Sequence, residues 1–315
     1  MHPIVKPDGR IDDGKIWKRE TLYKGMNGSC VERIYVTPSD TMIFKPLTNN
    51  DQIGKEAWVY EQILSALPPI NPKMLARSQP HNFSVNWILF EDLGHLTHTF
   101  EEDTAIALLS YIAEWHALPV THLHHAPLQG PKPSAEAIRV ELLLQDRLPC
   151  KSTFQRPSIS APVRSALLAL LRQESFAADE LVLSHGDLHL GNYAAVNGQV
   201  KVLDWEHAHL NSRYWDLYHV IDLSHPIFPK EMTTNIRERL LNRYLELSGQ
   251  NGHLMNAPMF RRRYYLFSCL FSLWMLKLIA NDIHANNGIW PFDQLKKQLQ
   301  ETTANLMQCA ECLFV

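Results

Sequence analysis

The chain has 315 residues, with 30 basic and 33 acidic side chains and a formal net charge of −3 at pH 7. This length is sufficient for two lobes, each with its own hydrophobic core. Because the charges nearly balance, we expect neither a nucleic-acid partner nor electrostatic attraction to an anionic membrane.

The apolar segments and the cysteines predict a soluble, cytoplasmic protein with no membrane partner. Residues 1–15 lack the apolar run of a secretory signal. The longest uncharged apolar window, Tyr264–Leu276, is too short to span a bilayer and is typical of a buried helix. Five scattered cysteines, an odd number, are expected to be reduced thiols.

The first predicted elements are strands, within residues 16–45, where alternating apolar residues are separated by turn residues. Gly25 and Gly28 lie between the first two strands. Glycines in this position let backbone N–H groups approach phosphate oxygens closely, although such a pair is more often an ordinary turn. Lys45 ends the third strand and is followed by a proline.

A helix is predicted next, because apolar side chains recur at helical spacing at Ile53, Ala57, Tyr60, Leu64 and Leu67. Glu56 lies on the border of this stripe, so its carboxylate can reach inward, and we expect it to pair with Lys45. Glu61 lies further round the helix and is expected at the surface.

An apolar strand follows in residues 86–94 and ends in Glu91, Asp92, Leu93 and a glycine. Beyond it the spacing of apolar residues is mainly helical. Helices are predicted over residues 104–118, 135–147, 161–175, 227–249, 259–280 and 290–313.

A hairpin is predicted around Asn197-Gly198, because this pair between two strand-like segments is the strongest local signal of a two-residue turn. If Val196 pairs with Gln199, then Asn192 falls opposite Leu203. Asp204 then emerges beside Asn192 at the open end of the hairpin.

Asp187 lies in the loop that feeds the same end, so we expect Asp187, Asn192 and Asp204 to gather in one small volume. Their oxygens are ligands that suit Mg²⁺, a hard ion that bridges substrate phosphates. Such a set serves phosphoryl transfer: one Asp accepts the proton of the attacking hydroxyl, while the Asn and the other Asp hold metal on the nucleotide.

The segment His185-Gly-Asp187-Leu-His189-Leu-Gly-Asn192 resembles the catalytic loop of the kinase-like family of aminoglycoside phosphotransferases and choline kinases. Val202-Leu-Asp204-Trp-Glu206 is similar to the metal-binding strand end of that family, and the spacings between the three polar residues fit. The resemblance implies an α+β, protein-kinase-like fold with two lobes. Residues 1–93 would form a small β-rich lobe that binds nucleotide, and residues 94–315 a larger, mainly helical lobe for catalysis and acceptor binding.

The resemblance also implies the cofactors and the site residues. ATP or GTP is the co-substrate with Mg²⁺, Asp187 is the base, His189 approaches the transferring phosphate, and Asn192 and Asp204 hold the metal. His185 and Asp216 are structural residues of the catalytic loop. Nucleotide-binding residues are expected in the glycine loop, at the lysine–glutamate pair and in the connection between the lobes: Gly25, Asn27, Gly28, Ser29, Lys45, Glu56, Glu91, Asp92 and Leu93.

The phosphate acceptor implied by the resemblance is the hydroxyl of a small molecule: an aminoglycoside, an amino alcohol such as choline, or a sugar-like compound. A cationic acceptor would need carboxylates that face its pocket. Glu206, Asp222 and Glu114 are the candidates for this role.

Two other functions are alternatives to the kinase. The histidines and aspartates around Asp187 would also suit a metal-dependent hydrolase, but Asn192 and Lys45 would then have no role. A kinase-shaped binding or structural protein without turnover would be indicated by loss of a catalytic residue. Asp187, Asn192, Asp204 and Lys45 are all present.

Overall fold

The computed structural model describes residues 2–25, 27–79, 85–123, 126–128, 132–146, 159–177, 179–285, 288 and 290–314. The chain forms two compact units. The first unit comprises Met1–Thr97 and Asn192–Ala208, and the second comprises His98–Gly191 and His209–Val315. Residues 1–93, the predicted N-terminal lobe, belong to the first unit, which also contains the predicted hairpin.

The first unit is built on a five-stranded antiparallel sheet with strand order β1-β2-β3-β5-β4. Alternate residues of the central strands, Ile34, Met42, Phe44 and Leu89, are buried on one face, as the period of two in a strand requires. The strands are β1 (Lys18–Lys24), β2 (Cys30–Tyr35), β3 (Thr41–Pro46), β4 (Met74–Arg77) and β5 (Trp87–Glu91).

The helix that follows β3 is shorter than its apolar stripe predicts. Helix α1 spans Lys55–Gln62, and a separate 3-10 turn, Leu64–Ala66, completes the segment. The helix begins after Gly54. Because Gly54 has a left-handed φ of 71°, the helix cannot extend back to Ile53. Glu56 lies in the first turn and is buried rather than at the border of the stripe.

The hairpin has the predicted register. Strands β6 (Leu181–Ser184), β7 (Tyr193–Val196) and β8 (Gln199–Val202) follow in the chain, and Val196 pairs with Gln199. Asn197 and Gly198 have φ of 50° and 76°, the two left-handed residues that a type I′ turn needs. The Leu203 N–H donates to the Asn192 carbonyl at 2.8 Å, so Asn192 lies opposite Leu203.

The second unit is mainly helical and carries one small sheet, in which β6 pairs with β9 (His209–Ser212). The predicted helices are present with shifted ends, and a short helix after β9 was not predicted. The helices are α2 (Glu102–His116), α3 (Ala135–Asp146), α4 (Ala161–Gln173), α5 (Tyr214–Ile221), α6 (Thr234–Gln250), α7 (Ala257–Ala285) and α8 (Phe292–Phe314). The β-rich first unit and the helical second unit confirm the predicted α+β, kinase-like class.

Helix α7 is long and apolar enough to cross a membrane by length and composition alone, with a mean hydropathy of 1.5 over its most apolar stretch. More than half of that stretch, 56%, is buried inside the protein, as in the core helix of a globular fold. It packs against α3, α5 and α8. Its buried side chains include Tyr264, Phe267 and Phe271.

Among the described residues, Cys30, Cys269, Cys309 and Cys312 are free thiols, as expected. Cys150 lies outside the described residues.

Candidate active site

In the first unit, the side chain of Lys45 is 11% exposed and is surrounded by three carboxylates. The Lys45 Nζ lies 2.7 Å from Glu56 Oε2, 2.6 Å from Asp204 Oδ1 and 3.4 Å from Glu206 Oε2. The predicted Lys45–Glu56 ion pair is therefore present. Glu206, which the sequence predicts to face the acceptor, instead contacts this lysine, and its Oε2 also accepts a hydrogen bond from Thr48 Oγ1 at 3.3 Å.

Local structure brings these four side chains together. Lys45 stands near the end of β3, opposite Ile88 of β5, and Glu56 stands in the first turn of α1. Asp204 follows β8 in a left-handed conformation, φ 61°, which is uncommon for a residue with a side chain and is typical of functional sites. The 3-10 turn Trp205–His207 then packs against α1 and carries Glu206 to the lysine.

The cluster has more negative than positive charge, and the pKa values reflect it. Burial alone would lower the pKa of Lys45, but Asp204, Glu56 and Glu206 outweigh it and hold the pKa well above its usual value. Burial and the neighbouring carboxylates raise the pKa of Glu56 and of Glu206, against the opposing effect of Lys45. The three carboxylates are therefore only partly neutralised by the single ammonium group, and a bound cation would stabilise the cluster.

The donor set fits a magnesium ion. One carboxylate oxygen each of Glu56, Asp204 and Glu206 lies within 4.8 Å of the others. Asn192 stands at the same end of the hairpin as Asp204, as the hydrogen bond from Leu203 N–H to the Asn192 carbonyl shows. These ligands are all oxygens, which Mg²⁺ prefers, and none is a thiolate.

The glycine loop between β1 and β2 is closed by its own hydrogen bonds. The Gly25 N–H donates to the Ser29 carbonyl at 2.8 Å, and the Gly28 N–H donates to the Gly25 carbonyl at 3.0 Å. The Asn27 side chain accepts from Ser29 N–H and donates to the Leu47 carbonyl at 2.7 Å. Phosphate binding by these amides would require the loop to exchange internal bonds for bonds to the ligand.

The predicted nucleotide connection, Glu91 to Leu93, follows β5. The Glu91 carboxylate accepts from the Lys73 N–H at 2.8 Å, and the Asp92 carboxylate binds the Arg33 guanidinium at 2.6 Å. Both side chains therefore fix the position of this segment within the first unit. Recognition of a base by the backbone groups of this segment stays a prediction.

In the second unit, Asp216 holds the loop that carries Asp187. Its carboxylate accepts hydrogen bonds from Ser184 Oγ at 2.6 Å and from the N–H groups of His185 and Gly186 at 3.0 and 3.3 Å. The indole of Trp115 donates to it at 3.1 Å. Asp216 is fully buried, and so is His185, whose Nδ1 accepts from the Asp187 N–H at 3.3 Å.

Burial alone would raise the pKa of Asp216, but hydrogen bonds and charge from His116, together with His185 and Ser184, outweigh it. The pKa is therefore held well below its usual range, and the carboxylate stays ionised. This ionised group fixes the backbone on which Asp187 stands.

Asp187 itself lies between two nitrogen donors of the second unit. Lys132 Nζ is 3.4 Å from Asp187 Oδ1, and His189 Nε2 is 3.8 Å from Asp187 Oδ2. His189 Nδ1 accepts a hydrogen bond from the Gly191 N–H at 2.9 Å, so in the neutral ring the proton is on Nε2, which faces Asp187. Lys132, which lies between two prolines in the sequence, was not among the predicted site residues.

The placement of Asp222 differs from the expectation that it faces an acceptor. Its side chain is fully buried, and its carboxylate binds the Arg237 guanidinium at 2.7 Å, Tyr264 Oη at 2.7 Å and Ser268 Oγ at 2.8 Å. A buried carboxylate with this many partners serves the packing of α6 and α7 against the end of α5. The prediction that Asp222 faces the acceptor is therefore wrong, because its carboxylate is buried in an ion pair with Arg237.

Comparison with known proteins identifies the class. The family model described as the phosphotransferase enzyme family matches residues 50–254, more than half of the chain. The chain therefore belongs to the phosphotransferase enzyme family, and the resemblance drawn from its catalytic loop is confirmed. It is a phosphotransferase of the small-molecule kinase class. The sequence has no significant match among curated proteins.

Solved structures show the same fold at low sequence identity. APH(2")-IIia, solved with GDP and kanamycin, is 15% identical with a TM-score of 0.61, covering 93% of this chain and 95% of that chain. Choline kinase LicA from Streptococcus pneumoniae is 17% identical with a TM-score of 0.57, covering 93% and 94%. A choline kinase from Cryptosporidium parvum Iowa II is 15% identical with a TM-score of 0.57, covering 99% and 94%.

Proposed function

We propose that the protein transfers the γ-phosphate of ATP or GTP to a hydroxyl of a small molecule, with Asp187 as the base. The observation that carries this proposal is the Lys45 cluster, because a strand lysine paired with a helix glutamate is the nucleotide-binding pair of kinases. The family match gives the reaction class independently.

Each residue of the proposed site has a distinct task. Lys45 binds the α and β phosphates and is held in place by Glu56. Asn192 and Asp204 would hold Mg²⁺, with Glu206 nearby, and the ion would neutralise charge on the phosphates. The engagement of Lys45 by three carboxylates supports this, since a bound cation and phosphates would redistribute the charges.

In the proposed reaction, Asp187 accepts the proton of the acceptor hydroxyl. The acceptor oxygen forms a bond to the γ-phosphorus, the bond from that phosphorus to the bridging oxygen breaks, and the electron pair leaves with the nucleoside diphosphate. His189 directs Nε2–H at the Asp187 carboxylate and so orients the base. Asp216 fixes the conformation of the loop by accepting hydrogen bonds from the N–H groups of His185 and Gly186.

Acceptor-dependent release of ADP or GDP tests the proposal. Hydroxylated metabolites, amino alcohols and aminoglycosides are screened with each nucleotide, and the phosphorylated product is identified by mass spectrometry. Turnover that depends on Mg²⁺ and on an acceptor is the expected result. A protein that binds neither nucleotide, or that hydrolyses phosphate esters with stoichiometric bound zinc, would contradict it.

A further inference from the structure

The surroundings of Asp187 in the second unit indicate the charge of the acceptor. Two side chains with nitrogen donors, Lys132 and His189, lie beside its carboxylate. A cation is therefore already built into the place where an acceptor hydroxyl has to approach the base.

Aromatic rings pack against His189, and they extend through His225 to Trp290. His225 stacks on His189 with ring centroids 4.4 Å apart, and Phe228 stacks on His189 at 5.9 Å. Trp290 meets the edge of His225 at 5.4 Å. Burial and the neighbouring His189 lower the pKa of His225 to about 3, so this ring is neutral near pH 7.

Several carboxylates in the described part of the second unit are engaged by cations of the protein. Glu136 binds Arg139 at 2.5 Å, and Glu141 binds Lys277. Asp222, the sequence-based candidate, is buried against Arg237.

The Lys132–Asp187 pair is suited to exchange. Their side chains are 27% and 25% exposed, and ion pairs that are open to water are weakly held. A lysine carries its charge on a flexible four-carbon stem, so its ammonium can move to a nearby anion of a ligand. That movement would leave Asp187 Oδ1 available for the proton of the hydroxyl.

We propose that the acceptor is a hydroxyl compound that carries a negative charge, either carboxylate or phosphate, and that Lys132 binds this charge. The inference rests on the proposed phosphotransferase function. A polycationic acceptor is repelled by Lys132, whereas an anionic one takes the lysine from Asp187 and positions its own hydroxyl beside the base. Lys132 is thus the residue that selects acceptors by charge.

Acceptors matched in size and different in charge test the proposal. One set is glycerate, glycerol and serinol, and a second is glucuronate, glucose and glucosamine, all at one ionic strength. We expect the anionic member to have the highest kcat/KM in any set that is phosphorylated. Lys132→Met should lower kcat/KM for the anionic acceptor about 10- to 100-fold, mainly through KM, because one charge-assisted hydrogen bond is lost.

Two further variants make the result specific. Lys132→Arg keeps the charge and should retain the preference, and Lys6→Met, which removes an exposed lysine of the first unit, should leave it unchanged. A wild-type preference for serinol or glucosamine overturns the proposal, as does an anionic preference that survives Lys132→Met. If the protein binds and hydrolyses nucleotide but phosphorylates none of these acceptors, the proposal of an anionic acceptor is wrong, while the proposed phosphotransferase function is not contradicted. Absence of nucleotide binding overturns the proposed function first, and this inference with it.

Discussion

Lys45 contacts all three clustered carboxylates of the first unit, so its replacement should have a large and specific cost. Lys45→Met leaves Glu56, Asp204 and Glu206 within 4.8 Å of one another without the ammonium. Removing one partner of a buried ion pair costs about 3–5 kcal/mol. We therefore expect the free energy of unfolding to fall by about that amount.

Glu56→Gln should cost far less, although it breaks the same ion pair. It leaves Lys45 with two carboxylates, relieves repulsion among the three, and keeps an oxygen that accepts a hydrogen bond. The expected change is about 1 kcal/mol or less, the net worth of one hydrogen bond. Turnover should still fall, because the lysine loses the group that orients it toward the nucleotide.

Lys55→Met is the matched control. Lys55 is a buried lysine of α1 that donates a hydrogen bond to Gln52 Oε1 at 3.2 Å. Burial lowers its pKa to about 8, against a weaker attraction from Glu206. Replacing a poorly compensated buried lysine by methionine should be neutral or stabilising.

Urea denaturation of the three variants without nucleotide measures these changes directly. If Lys45→Met loses less than about 1 kcal/mol, or if Glu56→Gln loses as much as Lys45→Met, the surplus of negative charge inferred for the cluster is wrong.

Three other predictions follow from the loop and the metal site. Asp216→Asn should destabilise the protein by about 3–5 kcal/mol at neutral pH, because it removes a buried charge with several donors. Since the folded pKa of Asp216 lies below its unfolded value of about 3.9, its contribution is full above that pH and is lost as pH falls further. Denaturation of the variant should therefore depend less on pH in this acid range than denaturation of the wild type. Gly191→Ala should lower turnover, because a Cβ there would lie 2.3 Å from the Phe228 ring, whereas Gly14→Ala, with its closest contact at 3.5 Å, should not. Elemental analysis of the purified protein should find no stoichiometric zinc, and Mg²⁺ should bind weakly until nucleotide supplies phosphate oxygens.

The parts of the site that were predicted from sequence depend on short-range rules. The register of the hairpin follows from Asn197-Gly198, and that register places Asn192 opposite Leu203. The Lys45–Glu56 pair follows from a strand end and a helical period. In both cases the partners lie in adjacent elements, where spacing determines which side chains can meet.

The parts that were missed depend on contacts between distant segments. Asp222 looked available because the sequence does not reveal that Arg237, Tyr264 and Ser268 converge on it. Lys132 reaches Asp187 across 55 residues of chain, from an irregular segment without periodicity. Glu206 follows Asp204 closely, but the 3-10 turn that contains it, Trp205–His207, directs its carboxylate to Lys45.

The role of Asp187 is tested most directly by phosphoryl transfer and nucleotide binding with Asp187→Asn and Asp204→Asn. Asp187→Asn keeps the shape of the side chain but removes the base, so transfer should fall about 10²–10⁴-fold while nucleotide affinity barely changes. Asp204→Asn should weaken Mg²⁺-nucleotide binding and transfer together. If Asp187→Asn retains near wild-type transfer to an acceptor that the wild type phosphorylates, Asp187 is not the base and the proposed mechanism is wrong.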